Sequence, residues 1–345
     1  MEKGEINKLN PKQILELLAR VFEISREQSD QESLAKAIEI SSQVDASQFQ
    51  KSDMATFHYF VGNAWSYLYQ LKRKDGEFPF EGIELNQQII SYRSALKNFD
   101  SKTNSILKCQ VLTNLGNLFS DIGRFSEAQD FYDKALGLKS DFGMAIGNKG
   151  YSIFSYARVI FDPNQQFIFF HKAHQFLLAS KKPDVYDEAW QFFKNIAKHI
   201  ETQYKKETLN QTLSFKDYFK RKSKKEVTYR KWCMENKLFL NPLNDIIQES
   251  VATTDYLFTP SMTFQYKEEP IYFSIFNQIK QEFVSSRFIF YEAKTSNKPH
   301  FSDKEVKIID TLDYSTYSYN LEKVKIAFRV SYSILDKIAY FLNLY

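Results

Sequence analysis

The sequence predicts an all-α protein in which an array of helical hairpins precedes a helical bundle. Glycine and proline are scarce, with 10 Gly and 8 Pro among 345 residues, so long helices with few tight turns are favoured. Apolar residues recur at helical spacing, as in residues 11–22, where Ile14, Leu17, Leu18 and Val21 share one face. The chain is longer than a typical single domain, and its 43% of hydrophobic residues can form two sizeable cores.

The charge balance and the cysteine content exclude several classes of protein. There are 46 Lys and Arg against 42 Asp and Glu, a balance that does not mark a nucleic-acid binder. Cys109 and Cys233 give neither a disulfide framework nor a metal-binding spacing, which predicts a reducing compartment. No apolar run approaches the roughly 18 residues of a membrane helix, and the polar N-terminus lacks a signal-peptide core. We therefore expect a cytoplasmic protein with no membrane contact and no cofactor.

Helices are predicted along the whole N-terminal part. The first covers residues 11–22, and the second contains Leu34, Ala37 and Ile38. The others cover residues 54–71, 83–99, 164–180 and 184–206, and a charged loop with Gly and Pro fills residues 72–82. Asp184 follows Pro183, so it is predicted to cap the last of these helices.

The most regular segment runs from residue 109 to about residue 142. Small and apolar residues fall there at fixed offsets, namely Leu112, Leu115, Gly116, Phe119, Gly123, Phe125, Ala128, Tyr132 and Ala135. These offsets resemble the tetratricopeptide repeat, which pairs two antiparallel helices with a 34-residue period. The resemblance implies that Gly116 and Ala128 form the close contact between the helices. It also implies that Gly123-Arg124 is the turn between them.

Neighbouring segments match the same pattern less completely. Ile146 and Gly150 belong to a second copy, and Gly62 and Ala95 fit an earlier copy if residues 72–82 are an insertion. We therefore predict a tetratricopeptide-like repeat region over residues 1–206, because one hairpin cannot bury its own apolar face. Such a region either binds a protein or peptide in a concave groove or serves only as a helical spacer. No run of Asn, Lys and Arg recurs at matching repeat positions, so both interpretations stay open.

Three histidines, His171, His174 and His199, lie on the last two helices predicted for this region. His171 and His174 are one helical turn apart, a spacing that two metal ligands can use. No Cys, and no carboxylate at helical spacing, completes a ligand set in the sequence, so no metal site is predicted.

Residues 207–228 are predicted to form a basic connector. Between residues 205 and 231 there are ten Lys or Arg, opposed only by Glu207, Asp217 and Glu226. Aromatic residues interleave with them, a composition that can hold a phosphate backbone and stack bases. The alternative, which the sequence favours, is a solvated linker whose aromatic residues anchor it to the flanking domains. The candidate RNA-binding residues are Lys220, Arg221, Lys222, Lys224, Lys225 and Arg230.

A helical domain is predicted over residues 229–345. Its first stretch, residues 229–247, joins Trp232 and a short apolar run to Asn241-Pro242, which stops any regular element. Pro270 then starts a helix that runs to about residue 293. Arg287 falls in the middle of the apolar face of this helix, where a charge needs a partner. Arg287 is therefore either a site residue or a structurally paired arginine.

The last helix begins near Ser318 and has a wide apolar face. A polar seam lies beside that face, formed by Lys325, Arg329, Tyr332, Asp336 and Asn343. The seam is more typical of a hydrated helix flank with an ion pair than of a site. Arg287, Arg329 and Asp336 are the weak catalytic candidates of the sequence.

Three segments, WCMENKLFLNPLNDI, SSRFIFYEA and ILDKIAYFLNLY, resemble the branch of the HEPN domain family that follows tetratricopeptide repeats. The resemblance covers about residues 225–345. It implies a helical bundle that dimerises and, in many members, a metal-independent endoribonuclease of phage-defence, toxin–antitoxin or RNA-processing systems. The family's chemistry implies an Arg and a His separated by four to six residues. The Arg would stabilise charge at the phosphate and the His would act as acid or base.

That motif is absent from the sequence, because none of His58, His171, His174, His199 and His300 follows an Arg at the required distance. The last helix lacks a Gly, an Asn cap or a Pro to end it, so we expect the sequence to be truncated at its C-terminus. The motif then lies beyond Tyr345, or the protein is a non-catalytic relative.

Two functional hypotheses follow. In the first, the intact protein is an endoribonuclease or a toxin or defence effector, and the repeats are its sensor or partner-binding arm. In the second, it is a non-catalytic adaptor whose repeats bind a protein and whose C-terminal bundle forms a homodimer. No phosphate-binding Gly loop, nucleophile elbow or HExxH motif supports another class of enzyme.

Overall fold

The structure is a computed structural model, and it describes residues 6, 9–73, 82–101, 103–213, 219–264, 267, 269–296, 298–304, 306 and 317–343. These residues contain thirteen α-helices and no β-strand. The helices are α1 (Pro11–Glu27), α2 (Gln31–Ser41), α3 (Lys51–Lys72), α4 (Ile83–Lys97), α5 (Ser105–Asp121), α6 (Phe125–Leu138), α7 (Gly143–Ala157), α8 (Pro163–Ala179), α9 (Asp187–Gln203), α10 (Lys206–Leu209), α11 (Lys224–Glu235), α12 (Ile271–Thr295) and α13 (Tyr319–Asn343). The all-α fold class predicted from the sequence is confirmed.

The chain divides into two compact units, Met1–Leu213 and Ser214–Tyr345. The first unit contains α1 to α10, and the second contains α11 to α13 with a long irregular segment between α11 and α12. The division falls within the predicted basic connector. The domain limits at residues 206 and 229 stay predictions, since residues 214–218 lie outside the described part of the chain.

Asp184 has a different role from the one its sequence position predicts. α9 begins at Asp187, and the Asp184 carboxylate instead accepts hydrogen bonds from the backbone N–H groups of Gly143 and Met144, at 3.1 and 3.3 Å. The first turn of α7 carries N–H groups with no partner in their own helix, and a carboxylate both satisfies them and matches the helix dipole. Asp184 therefore caps the N-terminus of α7, about 40 residues earlier in the chain, and does not cap α9.

The first unit is built from repeat-like helix pairs, of which α3–α4, α5–α6 and α7–α8 are packed most extensively. Gly123 lies between α5 and α6 with a φ of +79°, the left-handed conformation that favours glycine, so it forms the predicted turn. Apolar residues of α5 and α6 meet in one core, where Leu115, Phe119, Ala128 and Tyr132 are fully or almost fully buried.

The close contact at Gly116 differs from the predicted one. A Cβ atom added to Gly116 would lie 2.5 to 2.9 Å from ring carbons of Tyr132, so Tyr132 and not Ala128 fills the space beside this glycine. Gly62 has the equivalent relation to the ring of Tyr92, at 2.6 to 3.1 Å. Glycine on one helix therefore accommodates a tyrosine ring from the next helix in both pairs.

The second unit is dominated by the antiparallel pair of α12 and α13. Its contacts run in opposite directions along the two helices: Tyr272 with Phe341, Glu282 with Lys337, Ser286 with Ser331, and Glu292 with Lys323. Ala327 and Ile334 are the buried residues of α13, and they face this pair's interior. The predicted helix starts near Pro270 and Ser318 are one residue from the observed starts.

We expect Gly116→Ala to destabilise the first unit by about 1–3 kcal/mol, because the added methyl group meets a buried ring that cannot move freely. Gly137→Ala is the matched control, since Gly137 is also helical and has open space around its Cα. It should stabilise the protein by about 0.5–1 kcal/mol through helix propensity. Urea unfolding followed by circular dichroism measures both changes, and equal stabilities of the two variants would contradict the proposed packing.

Candidate functional site

Arg287 on α12 is the most completely engaged polar residue of the second unit, with only 5% of its surface exposed. Its Nη1 and Nη2 donate hydrogen bonds to the two carboxylate oxygens of Asp255, at 2.7 and 2.9 Å. Nη1 also donates to the carbonyl oxygen of Leu238 at 2.7 Å, and Nε donates to the hydroxyl of Tyr229 at 2.8 Å. Four of the five N–H groups of the guanidinium are therefore bound within the protein.

Aromatic rings surround this guanidinium on several sides. The rings of Tyr229, Phe239 and Phe283 have centroids 5.1 to 5.9 Å from its central carbon, within the range of cation–π attraction. Burial alone would lower the pKa of Arg287, but the hydrogen bonds and charge of Asp255 keep that pKa above its ordinary value. Burial raises the pKa of Tyr229 to about 12, so its hydroxyl stays neutral. The arrangement is that of a structural ion pair, the second of the two interpretations of Arg287.

The irregular segment after α11 is held by two buried asparagines. Asn244 accepts a hydrogen bond from the backbone N–H of Phe239 at 3.2 Å and donates to the carbonyl of Met234 at 3.0 Å. Asn241 accepts from the N–H of Leu243 at 2.9 Å and donates to the Thr254 hydroxyl at 2.8 Å. Side chains thus supply the bonds that a helix would otherwise give to this backbone. The stretch around Asn241-Pro242 has a structural role.

The outward face of α13 is exposed and largely apolar. Phe328, Tyr332, Leu335 and Leu342 are between 59% and 70% exposed, and they follow one another at intervals of four, three and seven residues. We call these four residues the α13 stripe. Arg329 and Asp336 lie on its edge and are exposed, and no ion pair within the described residues involves either of them. Of the three catalytic candidates, Arg329 and Asp336 therefore lie on an exposed surface, whereas Arg287 is buried.

Two of the predicted RNA-binding residues, Lys222 and Arg230, form hydrogen bonds within the protein. Glu226 accepts hydrogen bonds from Lys222 at 3.1 Å and from Arg230 at 2.9 Å. Arg230 also donates to the carbonyl of Thr253. The exposed members of the predicted RNA-binding set are Lys220, Arg221, Lys224 and Lys225. Residues 214–218 of the predicted connector lie outside the described residues, so its interleaved aromatic pattern is described only in part.

The two histidines of the predicted pair, His171 and His174, form hydrogen bonds to different partners. His171 Nε2 lies 2.8 Å from the carbonyl oxygen of Gln211, and His174 Nε2 lies 2.9 Å from a carboxylate oxygen of Glu201. Burial lowers the pKa of His171, which favours a neutral ring that donates to Gln211. Among the described residues, no three His, Cys, Asp or Glu side chains are grouped so that they could hold a metal ion.

A polar cluster on the repeat-like pairs was not anticipated from the sequence. The Tyr92 hydroxyl and the Asn114 amide both donate to Asn63 Oδ1, at 2.8 and 2.9 Å, and the Tyr132 hydroxyl donates to Asn117 Oδ1 at 2.8 Å. The signal that could have revealed it is the dipeptide Gly-Asn, which occurs at residues 62–63 and 116–117 and also, outside the cluster, at residues 147–148. A single asparagine therefore recurs at a matching repeat position, although no run of Asn, Lys and Arg does.

Fold and site together define a helical protein with a repeat-like arm and a C-terminal helical pair that exposes an apolar face. Residues 263–345, which include α12 and α13, match the family described as LA2681-like HEPN. This match confirms the resemblance to HEPN domains over residues 263–345. No curated protein and no solved structure matches the chain. In the described part of the chain, every helix is too short or too polar to cross a membrane.

We expect Arg287→Met to destabilise the second unit by about 3–5 kcal/mol, because it leaves the Asp255 carboxylate and the Leu238 carbonyl without their partner. Lys294→Met, an exposed change on the same helix, should alter stability by no more than about 0.5 kcal/mol. Chemical denaturation followed by tryptophan fluorescence measures both. A loss below about 1 kcal/mol for Arg287→Met would show that the pair is not structural.

Proposed function

We propose that this HEPN-family protein forms a homodimer through the α13 stripe and uses its repeat-like arm to bind a partner protein. The single observation that carries the proposal is the exposed apolar face of α13. Isolated exposed apolar residues are common, but four that share one helix face form a contiguous patch that marks an interaction surface.

The cavity beside the stripe supports a packed interface. A space of about 300 Å³ lies between α12 and α13, and its lining includes Phe290, Val324 and Phe328. Phe328 belongs both to this lining and to the stripe, so the cavity opens where the stripe begins. A side chain from a second copy could fill this space, since hot spots of interfaces are anchored in apolar pockets.

The charges on the edge of the stripe support a second copy of this chain as the occupant. Arg329 and Asp336 are seven residues apart, about two helical turns, and so lie on the same edge. In a two-fold interface, each contact occurs twice with the roles of the two copies exchanged. A two-fold axis that runs between the two copies of α13, at the level between residues 332 and 333, places Arg329 of one copy opposite Asp336 of the other copy.

We expect the wild-type chain to be a dimer, and Arg329→Asp and Asp336→Arg each to be monomeric, because each variant would place like charges opposite one another twice. An equimolar mixture of the two variants should form a heterodimer, since both contacts are then between opposite charges. Analytical ultracentrifugation of each variant and of the mixture measures this. Lys294→Asp is the control of equal charge change and should remain a dimer.

Three results would each reject part of the proposal. A monomeric wild-type chain would reject self-association altogether. Single variants that dimerise like the wild type would place the interface elsewhere. Monomeric single variants whose mixture also stays monomeric would reject the proposed two-fold arrangement, although the α13 stripe would remain the interaction surface.

The partner-binding role of the arm is supported by the helix pairs of the first unit and by its Tyr–Asn cluster. Asn117 uses its Oδ1 for Tyr132, while no hydrogen bond of its amide group to another described residue is found. Amide groups on a helical array can bind the main chain of an extended peptide. The alternative, a helical spacer without a ligand, predicts no binding partner for the isolated chain.

The endoribonuclease or defence-effector hypothesis is the second candidate, and it is supported by the family match at residues 263–345. The Arg-x4–6-His motif is missing from the sequence, and Arg287 is bound to Asp255. We therefore expect the 345-residue chain to leave labelled RNA intact in the presence of EDTA. Metal-independent cleavage that disappears on His300→Gln or on replacement of another histidine would contradict this expectation and restore the nuclease hypothesis.

A further inference from the structure

A second cavity of the Ser214–Tyr345 unit has the features of a small-molecule site. It has a volume of about 310 Å³ and lies between the irregular chain at residues 255–259 and the N-terminal half of α12. Small-molecule sites in proteins have volumes of roughly 300–1,000 Å³ and combine apolar or aromatic walls with a few polar groups. The cavity is thus at the lower limit of that range and suits a ligand of one or two rings.

Aromatic side chains form most of its apolar wall. Phe273 and Phe276 of α12 are half-buried on one side, and Tyr256 and Phe258 contribute from the irregular segment. The Tyr256 side chain is 68% exposed although it is large and partly apolar. Rings on both sides of a narrow space can stack on the two faces of a planar ligand.

The polar groups of the cavity give it a positive character. Lys280 lies with its Nζ 5.0 Å from the centroid of the Phe276 ring, and it has no carboxylate partner among the described residues. Asp255 is the acidic residue of the lining, and its carboxylate is bound by both Nη atoms of Arg287. Its charge is therefore already compensated, and the positive charge of Lys280 is available to an anion.

Asn277 completes the polar lining. It is exposed at the edge of the cavity, three residues before Lys280 and therefore on the same face of α12. An amide offers both donors and an acceptor, which suits the hydrogen-bonding edge of a heterocyclic ring. Neutral apolar ligands would leave the ammonium of Lys280 without a counter-charge.

We propose that this cavity binds a small planar aromatic anion, that is, a ring carrying one carboxylate or one phosphate. The four aromatic side chains hold the ring, Lys280 binds the anionic group and Asn277 contacts the ring edge. Arg287 is a positioning residue for this site, because it fixes Asp255 and with it the segment that forms one wall. The proposal does not depend on dimer formation or on the repeat-like arm.

Isothermal titration calorimetry of the full chain tests the proposal with four probes: adenosine monophosphate, indole-3-acetate, adenosine and inorganic phosphate. At least one of the first two probes should bind. Adenosine and phosphate should each bind at least tenfold more weakly, since adenosine lacks the anionic group and phosphate lacks the ring. Lys280→Ala and Tyr256→Ala should each weaken binding at least tenfold. Lys294→Ala removes an equal charge from the same helix and should bind like the wild type.

The relative affinities identify the source of the anionic group. Tighter binding of adenosine monophosphate indicates a nucleotide phosphate, and tighter binding of indole-3-acetate indicates an aromatic carboxylate; either result supports the site. Failure of both probes to bind at millimolar concentration would overturn the proposal. Unchanged affinity in a Lys280→Ala variant with a wild-type circular dichroism spectrum would overturn it as well.

Discussion

The buried pair of Arg287 and Asp255 is the interaction on which the second unit depends. Removing two charges from water is costly, and the cost is met here by a two-pronged hydrogen bond, a backbone carbonyl, a tyrosine hydroxyl and three aromatic rings. The pair joins α12 to a segment whose only regular elements in its described part are two short 3-10 helices, Pro242–Asp245 and Ser250–Ala252. Leu238 lies near the start of that segment and Asp255 near its middle, so one guanidinium holds two separate parts of it together.

This use of Arg287 has a consequence for function. An arginine with four committed N–H groups in an apolar surrounding is poorly placed to bind a phosphate, whereas Arg329, Asp336 and Lys280 have no such commitments among the described residues. The chemistry of the second unit is therefore expected at the surface of α13 and at the wall of α12. The buried arginine supports the wall of α12, because it holds Asp255 in the segment that lines the same cavity.

The sequence predicted the features that depend on neighbours in the chain and missed those that depend on distant ones. Helical periodicity placed α1, α12 and α13 closely, and glycine chemistry placed the turn at Gly123. The need of Arg287 for a partner was also predictable, because a charge on an apolar face must be compensated. Its partner Asp255 could not be predicted, since it lies 32 residues away in a segment without periodicity. Asp184, which caps α7 from a distance, also could not be predicted, because it lies about 40 residues from its partners. Tyr132 lies in a regular helix, but which side chain of that helix fills the space at Gly116 depends on how the two helices pack.

The two faces of α13 are linked through one small region. Ala327 and Ser331 of α13 line the cavity between α12 and α13, and the same cavity is lined by Arg287 and Phe328. Phe328 therefore lines the same cavity as Arg287 and also belongs to the exposed α13 stripe. A change that loosens the Arg287 pair should be felt at the stripe, because packed side chains transmit a shift to their neighbours and do not absorb it. We therefore expect the stability of the second unit and the proposed self-association to be coupled through the same few residues.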